Sequence, residues 1–390
     1  MKSEISHYRT RIVDSLSEIG QENWDRLVKS QDMPTPFVSF AFLEALHQSN
    51  SACSMTGWKP TFITVWDDEE LVGALPLYEK SHSYGEYVFD WAWANAYHEH
   101  GLNYYPKLVS AIPFTPIQGS RLISKHHDAR RILIAALVDL MRNGQYSSCH
   151  ILFPTEQEAN ELDRIGFLTR EGVQFHWKNQ NYQSFEEFLS KLERKKRKNI
   201  RTERRKVQDA GIQFQHVIGK DISSDDWFFF KQCYDRTYRE HHSSPYLNLD
   251  FFQRIGSDMP ENLLLIIANL NGDRVGAALF FYNQTHLYGR YWGCSIEIPY
   301  LHFETAYYQA LEFCIQHKIQ IFEGGAQGEH KLARGFMPQK TYSNHFILQS
   351  DFAHAVEHFL KRETHGVEQY IDELNEHTPF KNDKHHISGI

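Results

Sequence analysis

The chain has 390 residues and a formal net charge of −8. The length suggests two or three domains with sizeable cores, and the acidic balance argues against a dedicated nucleic-acid binder. The five cysteines are scattered without CxxC spacing, and no apolar run approaches the roughly 18 residues of a membrane span. We therefore expect a cytoplasmic protein without a signal peptide, a disulfide framework or a membrane span.

The first half of the chain alternates between helical and strand patterns. Helices are predicted over Ile19–Ser30 and Ser39–Ser49, the second with Ser39 as its N-cap. A hairpin is indicated by the runs TFITVW and LVGALPLYEK, which flank the acidic turn Asp67–Glu70. The remaining elements are helices over Phe89–His100, Asp128–Asn143 and 155–167, and strands over Leu108–Ile112, 149–154 and 172–177.

The second half repeats this order after a linker over Asn179–Ser184. A long basic helix is predicted from Phe185 to Gly211, and a strand, helices over 225–239 and 249–255, and a hairpin with Asn271–Gly272 as its turn follow. The tripeptide VGA opens the return strand of both hairpins. We therefore interpret the chain as two copies of one α/β unit.

The segment from Thr285 to Phe336 has the densest set of ionisable groups. A strand through Leu287–Gly293, a helix over His302–Lys318 and a short buried strand over Ile319–Phe322 lead to the pair Gly324–Gly325. Around these glycines lie six polar or ionisable residues: Glu323, Gln327, Glu329, His330, Lys331 and Arg334. This density indicates a functional site. A strand over 341–348 and a helix over Asp351–Leu374 complete the pattern.

These sequences resemble the acyl-CoA N-acyltransferase (GNAT) superfamily, in the tandem arrangement of the Fem-type peptidoglycan aminoacyltransferases. The basic helix that opens the second Fem domain resembles KRKNIRTERRKVQDAGIQF, its Phe-Gly-Gly block resembles FEGG, and its Lys/Arg-Gly-Phe segment resembles HKLARGF. The resemblance is closer still to the predicted N-acyltransferases of the FemAB-like group, bacterial proteins of largely unassigned substrate. It is carried by FDWAWANAYHEHGLNYYPKLVSAIPFTPIQGSRL and YGRYWGCSIEIPYLHFETAYYQALEFCI.

The resemblance covers most of residues 10 to 375. It implies an α/β (α+β) fold made by tandem duplication of the GNAT fold, each half a mixed, splayed central sheet flanked by helices. It places one GNAT-like domain at 1–178, a linker at 179–184, a second domain opened by the basic helix at 185–375, and a disordered tail at 376–390. It also implies acyl transfer to nitrogen, with acyl-CoA as cosubstrate and a small-molecule or peptide amine as acceptor.

Two segments are candidates for binding the phosphates of the donor. The loop of Gln118, Gly119, Ser120 and Arg121 resembles the pyrophosphate loop of the superfamily, except that Arg121 replaces its second small residue. Arg121 either contacts phosphate or fills the site of a domain that has lost donor binding. Lys331 and Arg334 occupy the position associated with transfer-RNA phosphates in Fem-type enzymes. They either bind phosphate or form a solvated pair at a loop end.

Acyl transfer to an amine requires a base and hydrogen-bond donors for the developing oxyanion. The candidates for the base are Glu323, Glu304 and His330. Glu323 ends a buried strand, where desolvation would raise its pKa, unless it caps a loop N–H or pairs with Arg334. His330 has a suitable ordinary pKa, although it is one of 23 histidines.

Five further residues are candidates for substrate binding. Arg290 and Trp292 lie on one predicted strand, where Arg290 either binds a carboxylate or forms an ion pair on the sheet. His98, Tyr105 and Lys107 either line an acceptor pocket or are polar members of an aromatic cluster. No ligand cluster with metal spacing is found, so no metal is expected.

The helix over Arg194–Lys206 carries nine Lys or Arg residues and one acid, Glu203. This charge fits either a nucleic-acid or anionic-membrane patch or a solvated face that contacts donor phosphates. Three functional hypotheses follow. An acyl-CoA N-acyltransferase is the main prediction. The second hypothesis is a Fem-type enzyme that uses aminoacyl-tRNA and a cell-wall precursor, and such an enzyme would have a basic track from this helix to Lys331. The third hypothesis is a non-catalytic binding protein on the same scaffold.

Overall fold

The computed structural model of the protein describes residues 8–32, 34–325 and 328–381. The chain forms two compact units. Unit 1 is drawn from Met1–Gly172, Tyr246–Met259 and Lys340–Val367, and unit 2 from Val173–Pro245, Pro260–Gln339 and Glu368–Ile390. Two segments that the sequence assigned to the second half, Tyr246–Met259 and Lys340–Val367, therefore pack in unit 1.

The strands are numbered in chain order. They are β1 (Tyr8–Val13), β2 (Trp58–Pro60), β3 (Phe62–Asp67), β4 (Glu70–Leu75), β5 (Tyr78–Lys80), β6 (Lys107–Ser110), β7 (Ile123–Ser124), β8 (Ser148–Leu152), β9 (Leu168–Lys178), β10 (Ile212–Ile218), β11 (Leu263–Leu270), β12 (Asp273–Tyr282), β13 (His286–Cys294), β14 (Ile321–Glu323) and β15 (Met337–Ile347).

The helices are numbered in the same way. They are α1 (Gln21–Lys29), α2 (Phe40–Gln48), α3 (Trp91–Glu99), α4 (His127–Asn143), α5 (Glu156–Arg164), α6 (Phe185–Lys191), α7 (Arg194–Asp209), α8 (Ser224–Glu240), α9 (Leu249–Asp258), α10 (Leu301–Phe303), α11 (Gln309–Gln316) and α12 (Ser350–Glu376). A π-helical turn, Glu304–Tyr308, joins α10 to α11, and a 3-10 helix spans Glu329–Arg334.

Unit 1 contains two sets of paired strands. One is antiparallel, with the order β1–β3–β4–β7, and the other has the order β15–β8–β6–β5–β2. In the second set β6 and β8 are parallel, with Leu108 opposite Cys149. Helix α4 buries Leu133 and Leu137 against the sheets, and a Cβ on Gly73 of β4 would lie 3.2 Å from Leu133. The helix therefore packs directly on the backbone of the sheet.

Unit 2 contains strands in the order β10–β11–β12–β13–β14–β9. Strands β13 and β14 are parallel, with Tyr288 opposite Glu323, and the crossover between them runs through α10 and α11. This crossover buries Leu311 and Cys314 in a core that includes Phe322. Both units thus contain a strand–helix–strand crossover into a parallel pair, β6–α4–β8 and β13–α11–β14. The mixed architecture confirms the predicted fold class.

Most predicted elements are present. Ser39 caps α2, because its hydroxyl accepts a hydrogen bond from the N–H of Phe42 (3.2 Å). The predicted hairpins are β3–β4 and β11–β12, and they turn at residues with positive φ: Asp68, Asn271 and Gly272. The helix predicted over Phe89–His100 is α3, and Gly101 after it has a φ of +70°. Strand β1 was not predicted.

The predicted helix from Phe185 to Gly211 is wrong, because the chain forms two helices there. Leu192 has an extended backbone (φ −77°, ψ 155°) and a side chain buried in the core of unit 2, so α6 ends before it and α7 begins after Glu193. Leu192 pairs with Phe380, which lies in the segment predicted to be disordered. Residues 382–390 of that segment, and Gln327 of the glycine-rich loop, lie outside the described residues.

Candidate active site

The glycine-rich loop begins where β14 ends in unit 2. The ladder between the parallel strands pairs His286–Tyr288 with Ile321–Glu323, and β13 extends beyond it to Cys294. A Cβ on Gly324 would lie 2.9 Å from the Phe336 ring, and Gly325 has a φ of +87°. Both positions favour glycine, one for space and one for backbone conformation. The chain therefore turns immediately after Glu323, and the candidate carboxyl group lies at the start of the turn.

Glu323 is a buried carboxyl group, 5% exposed, opposite His176 of β9. Its Oε2 lies 3.8 Å from Nε2 of His176 and has no hydrogen-bond partner among the described residues. Burial raises the pKa of Glu323 to about 8, although Arg290 opposes the shift. Burial also lowers the pKa of His176 to about 3, so the imidazole is neutral and does not stabilise the carboxylate as an ion pair would. Glu323 therefore combines burial, an unpaired oxygen and the proton affinity of a useful base.

Lys331 returns to the same turn from the 3-10 helix. Its side chain is buried, and its Nζ donates a hydrogen bond to the carbonyl oxygen of Gly325 (2.8 Å). Burial lowers the pKa of Lys331 to about 8. Because an ammonium group has three N–H donors, Lys331 can still donate to an anionic oxygen bound beside the turn.

Arg334 is engaged in internal contacts. Its Nη2 donates to both carboxylate oxygens of Glu203 (2.9 and 3.0 Å), and its Nε donates to the hydroxyl of Tyr308 (2.9 Å). Its Nη1 donates to the carbonyl of His330 (2.7 Å), and the guanidinium carbon lies 3.5 Å from the centre of the Phe303 ring. The buried guanidinium thus links the 3-10 helix to α7. This arrangement does not provide the exposed phosphate contact that was predicted for Arg334.

Glu304 is also paired. Arg204 of α7 donates to both its carboxylate oxygens at 2.9–3.1 Å, and Gln309 donates to Oε1 at 2.8 Å. Arg204 binds Glu312 as well (2.8 Å). Both oxygens of Glu304 are thus held by internal partners, whereas Glu323 has an oxygen without one among the described residues, so the geometry favours Glu323 over Glu304 as the base.

The other unit 2 candidates surround this turn. His330 is exposed, and its Nε2 lies 3.1 Å from the hydroxyl of Tyr307. Burial, Arg334 and Lys331 lower its pKa. Arg290 and Trp292 lie on the part of β13 beyond the ladder, and both are half-buried. Arg290 therefore lies close enough to lower the pKa of Glu323, and Lys331 close enough to lower that of His330.

The predicted pyrophosphate loop lies in unit 1 and is filled by a side chain of the protein. The carboxylate of Glu158, on α5, accepts hydrogen bonds from the hydroxyl of Ser120 and from the backbone N–H groups of Arg121 (2.9 Å) and Leu122 (3.0 Å). Strand β7 also separates this loop from α4, so the loop does not lie at the N-terminus of that helix. The backbone amides that the prediction required are already in use.

The side chains of the same loop have internal partners. Arg121 is 1% exposed, and its guanidinium donates to backbone carbonyls of Ile117, Gly119, Ser120 and Leu152. Gln118 donates to the carbonyl of Pro154 (3.2 Å), and the N–H of Gly119 donates to Phe153 (3.0 Å). These contacts support the alternative in which Arg121 fills the loop.

The three remaining candidates in unit 1 are not brought together as a pocket. Lys107 is fully buried and bound by Ser83, Glu86 and Asp90. The hydroxyl of Tyr105 lies 2.8 Å from that of Ser83, whereas His98 is exposed on α3. The first two thus belong to a polar cluster, which was one of the two alternatives.

Several residues of both units were missed by the sequence analysis. Glu203 was noted only as the single acid in a basic helix, and that isolation was a signal of a specific partner. Glu158, His176 and Arg204 gave no signal, because their partners are distant in sequence and are reached only through the fold. Within the described ranges, no group of His, Cys, Asp and Glu is arranged to hold a metal, and no helix is long and apolar enough to cross a membrane.

Comparisons with known proteins agree with this fold. The sequence profile of the FemAB-like family, described as peptidoglycan biosynthesis/recognition, matches residues 15–382. No curated protein matches the chain. Among solved structures, FemX is similar with a TM-score of 0.55 and 12% identity, over 89% of this chain and 100% of FemX. A conserved protein of unknown function from Bacteroides thetaiotaomicron has a TM-score of 0.54 and 12% identity, over 87% of this chain and 100% of its own.

The two structural likenesses show a shared fold. The family profile covers nearly the whole chain, including both the Gln118–Arg121 loop and the Gly324–Gly325 turn. The predicted resemblance is thereby confirmed: the chain belongs to the FemAB-like family.

Proposed function

We propose that the protein is an N-acyltransferase whose reaction takes place at the Gly324–Gly325 turn of unit 2. The observation that carries the proposal is the state of Glu323, which is buried, has an oxygen without a hydrogen-bond partner among the described residues, and has a pKa raised to about 8. A carboxylate of this proton affinity can take a proton from an ammonium or amine at mildly basic pH.

The proposed reaction is a direct attack. The amine nitrogen of the acceptor forms a bond to the acyl carbonyl carbon while Glu323 removes one of its protons. The carbonyl oxygen gains negative charge, and Lys331 donates a hydrogen bond to it. The bond from the acyl carbon to the donor then breaks, and the proton held by Glu323 is available to the leaving group. Residues on β13 beyond the ladder, Arg290 and Trp292, would face the acceptor or donor.

We propose acyl-CoA as the donor. Its phosphates would be met by the exposed cations of α7, which include Arg194, Lys195, Lys198 and Arg205. Unit 1 is a poorer place for the donor, because Glu158 already occupies its loop amides. The acceptor is an amine of a small molecule or peptide.

A second candidate is aminoacyl transfer from transfer RNA. The same exposed cations favour a large polyanion, and FemX has the same fold. The basic track expected for such a donor would end at α7, because Lys331 is only 2% exposed.

The test supplies the purified protein with acyl-CoA thioesters of increasing chain length or with charged transfer RNA, together with a panel of primary amines and amine-terminated peptides. Amide products are detected by mass. We expect product from a thioester, and a loss of about 10²–10⁴-fold in rate for Glu323→Gln. The matched control is Glu329→Gln, an exposed acid of the same loop. Product only from charged transfer RNA would select the second candidate, and full activity of Glu323→Gln would exclude the proposed base.

A further inference from the structure

The loop that joins β5 to α3 in unit 1, Ser81–Asp90, buries polar side chains and exposes aromatic ones. Its buried side chains are all polar: Ser83, Glu86 and Asp90. Two of its three aromatic side chains face solvent, with Tyr84 58% exposed and Phe89 59% exposed, and Trp91 just after the loop is 37% exposed. Proteins normally bury aromatic groups and expose carboxylates, so this loop departs from the usual pattern.

Two lysines of the sheet below hold the buried carboxylates. Lys80 and Lys107 are directly opposite each other on β5 and β6, and both are fully buried. Nζ of Lys107 donates to Ser83 (2.8 Å), to Oε2 of Glu86 (2.8 Å) and to Asp90. Nζ of Lys80 lies 3.9 Å from Oε1 of Glu86 and donates to the backbone carbonyl of Tyr84 (3.3 Å). The loop is therefore attached mainly by charge and hydrogen bonds.

The attachment is incomplete on one side. Oε1 of Glu86 and Oδ1 of Asp90 have no hydrogen-bond partner among the described residues. Lys80 also lies over the ring of Trp58, with Nζ 3.6 Å from its centre. Its Nζ thus contacts an aromatic ring and has no carboxylate oxygen of the described residues at hydrogen-bonding distance. Because buried charges need good partners to offset their desolvation, Lys80 and Glu86 are the weak contact of this cluster.

We propose that the β5–α3 loop is a pH-sensitive lid on unit 1, which detaches most readily near neutral pH and then exposes Lys80 and Lys107. The buried side chains that leave the interior on detachment are polar, and the apolar burial that is lost is that of the Phe114 and Trp58 rings, on which Gly85 packs. Detachment also lets the carboxylates reach water and frees Tyr84 and Phe89 to pack elsewhere. This inference concerns unit 1 alone and does not depend on the proposed acyl transfer.

The charged groups around the lid determine its response to pH. Burial raises the pKa of Glu86 to about 7, partly opposed by Lys107, and burial lowers the pKa of Lys80 to about 7, partly opposed by Glu86. Burial would neutralise Lys107 and Asp90, but Glu86 and Asp90 raise the pKa of Lys107, and Lys107 lowers that of Asp90, so both stay charged. The other facing titratable or charged groups are His82 beside Lys80, Tyr105 beside Ser83, and His150, Tyr104 and His345 near Asp90. Arg170 also faces the loop and donates to the carbonyl of Phe89 (2.8 Å).

The sign of the response follows from proton linkage. Between the ordinary pKa of Glu86 and about 7, the closed lid binds more protons than the open one, so opening becomes easier as pH rises. Between about 7 and the ordinary pKa of Lys80, the open lid binds more protons, so opening becomes harder as pH rises further. The open population is therefore largest near neutral pH.

Hydrogen exchange of the full-length protein tests this inference between pH 5 and 9. Exchange of amides in Ser81–Asp90, and of the Phe114 amide that donates to the carbonyl of Gly85 in this loop (3.2 Å), is divided by the intrinsic exchange rate at each pH to give a protection factor. We expect a minimum near pH 7, with protection rising by up to about tenfold per pH unit on either side. Glu86→Gln should lose the rise on the acid side, and Lys80→Met the rise on the basic side.

The matched control is Glu79→Gln, which removes a partly exposed ion pair between Lys59 of β2 and Glu79 of β5. It should keep the wild-type profile. A protection factor for this loop that is flat across the pH range would overturn the proposal, as would an unchanged minimum in both lid variants. The wild-type profile alone decides the matter if a variant does not fold.

Discussion

Nη2 of Arg334 lies within 3.0 Å of both carboxylate oxygens of Glu203, and both side chains are largely buried. The next residue of α7, Arg204, pairs in the opposite sense with Glu304 of the π turn. Glu203 and Arg204, two consecutive residues of α7 with opposite charges, therefore bind the 3-10 helix and the π turn, respectively. Because the 3-10 helix carries Lys331, the pairs position the proposed oxyanion donor as well as stabilising unit 2.

Glu203→Ala should destabilise the protein by about 3–5 kcal/mol, because it leaves the buried guanidinium of Arg334 without its carboxylate. Thermal denaturation at pH 7 measures the change. Glu22→Ala is the control, since Glu22 forms an exposed ion pair with Arg26 and should change stability by less than about 0.5 kcal/mol. Equal effects of the two substitutions would show that the buried pair has no special role.

Glu323→Gln should lower the activity of the protein and raise its stability at basic pH. The native state holds a proton on Glu323 up to a pKa of about 8, so the wild-type protein loses stability as pH rises from the ordinary glutamate pKa to that value. The variant lacks this loss. The free energy of unfolding of the variant should therefore rise relative to that of the wild type by up to about 4–5 kcal/mol between pH 4 and pH 9. Melting temperatures of both proteins across this range measure it, and a difference independent of pH would contradict the raised pKa.

The two glycines after Glu323 should each resist substitution. Gly324→Ala places a Cβ against the Phe336 ring and should cost about 1–3 kcal/mol through overpacking. Gly325→Ala must hold a φ of +87° and should cost about 1–2 kcal/mol. Gly366→Ala is the control, because this helical glycine of α12 has open space around it and the change should stabilise the protein by about 0.5–1 kcal/mol. Denaturant unfolding distinguishes the signs, and a stabilising Gly325→Ala would refute the described turn.

Glu158→Ala should destabilise unit 1 by about 3–5 kcal/mol, since it removes a buried carboxylate that accepts three hydrogen bonds from the Ser120–Leu122 segment. Glu161→Gln, on the same helix and half-exposed beside Arg130, should have a small effect. Both are measured by thermal denaturation. If Glu158→Ala left stability unchanged, the loop amides would have other partners and could be reconsidered as a donor site.

Much of the fold was predictable because the signals were local. Ser39 and the turn Asn271–Gly272 impose a cap and a turn through their own chemistry, and the structure places them as predicted. The break at Leu192 was not predictable, because helical propensity continues through it and only burial in the core of unit 2 ends the helix. Local preference gave way to packing there.

The site was predictable only in part, for a related reason. Paired glycines after a short apolar strand indicated a turn with a carboxyl group beside it, and Glu323 lies there. The charges of Arg334, Glu304 and Arg121 were equally visible in the sequence. Each is bound by a residue far away in sequence: Arg334 by Glu203, Glu304 by Arg204, and Arg121 by the carbonyl of Leu152. Sequence spacing cannot distinguish a paired ion from an available one.

The most direct test of the proposed function is the pH dependence of acyl transfer, once a productive thioester and amine pair is found among the probes. The rate constant kcat/KM should rise with pH as Glu323 loses its proton, reach a maximum near pH 8 and fall above it as Lys331 loses its own, and Glu323→Gln should lose about 10²–10⁴-fold at the maximum. Arg290→Met should shift the rise to higher pH, because Arg290 lowers the pKa of Glu323. A rise that keeps its midpoint and its height in Glu323→Gln would show that another group accepts the proton.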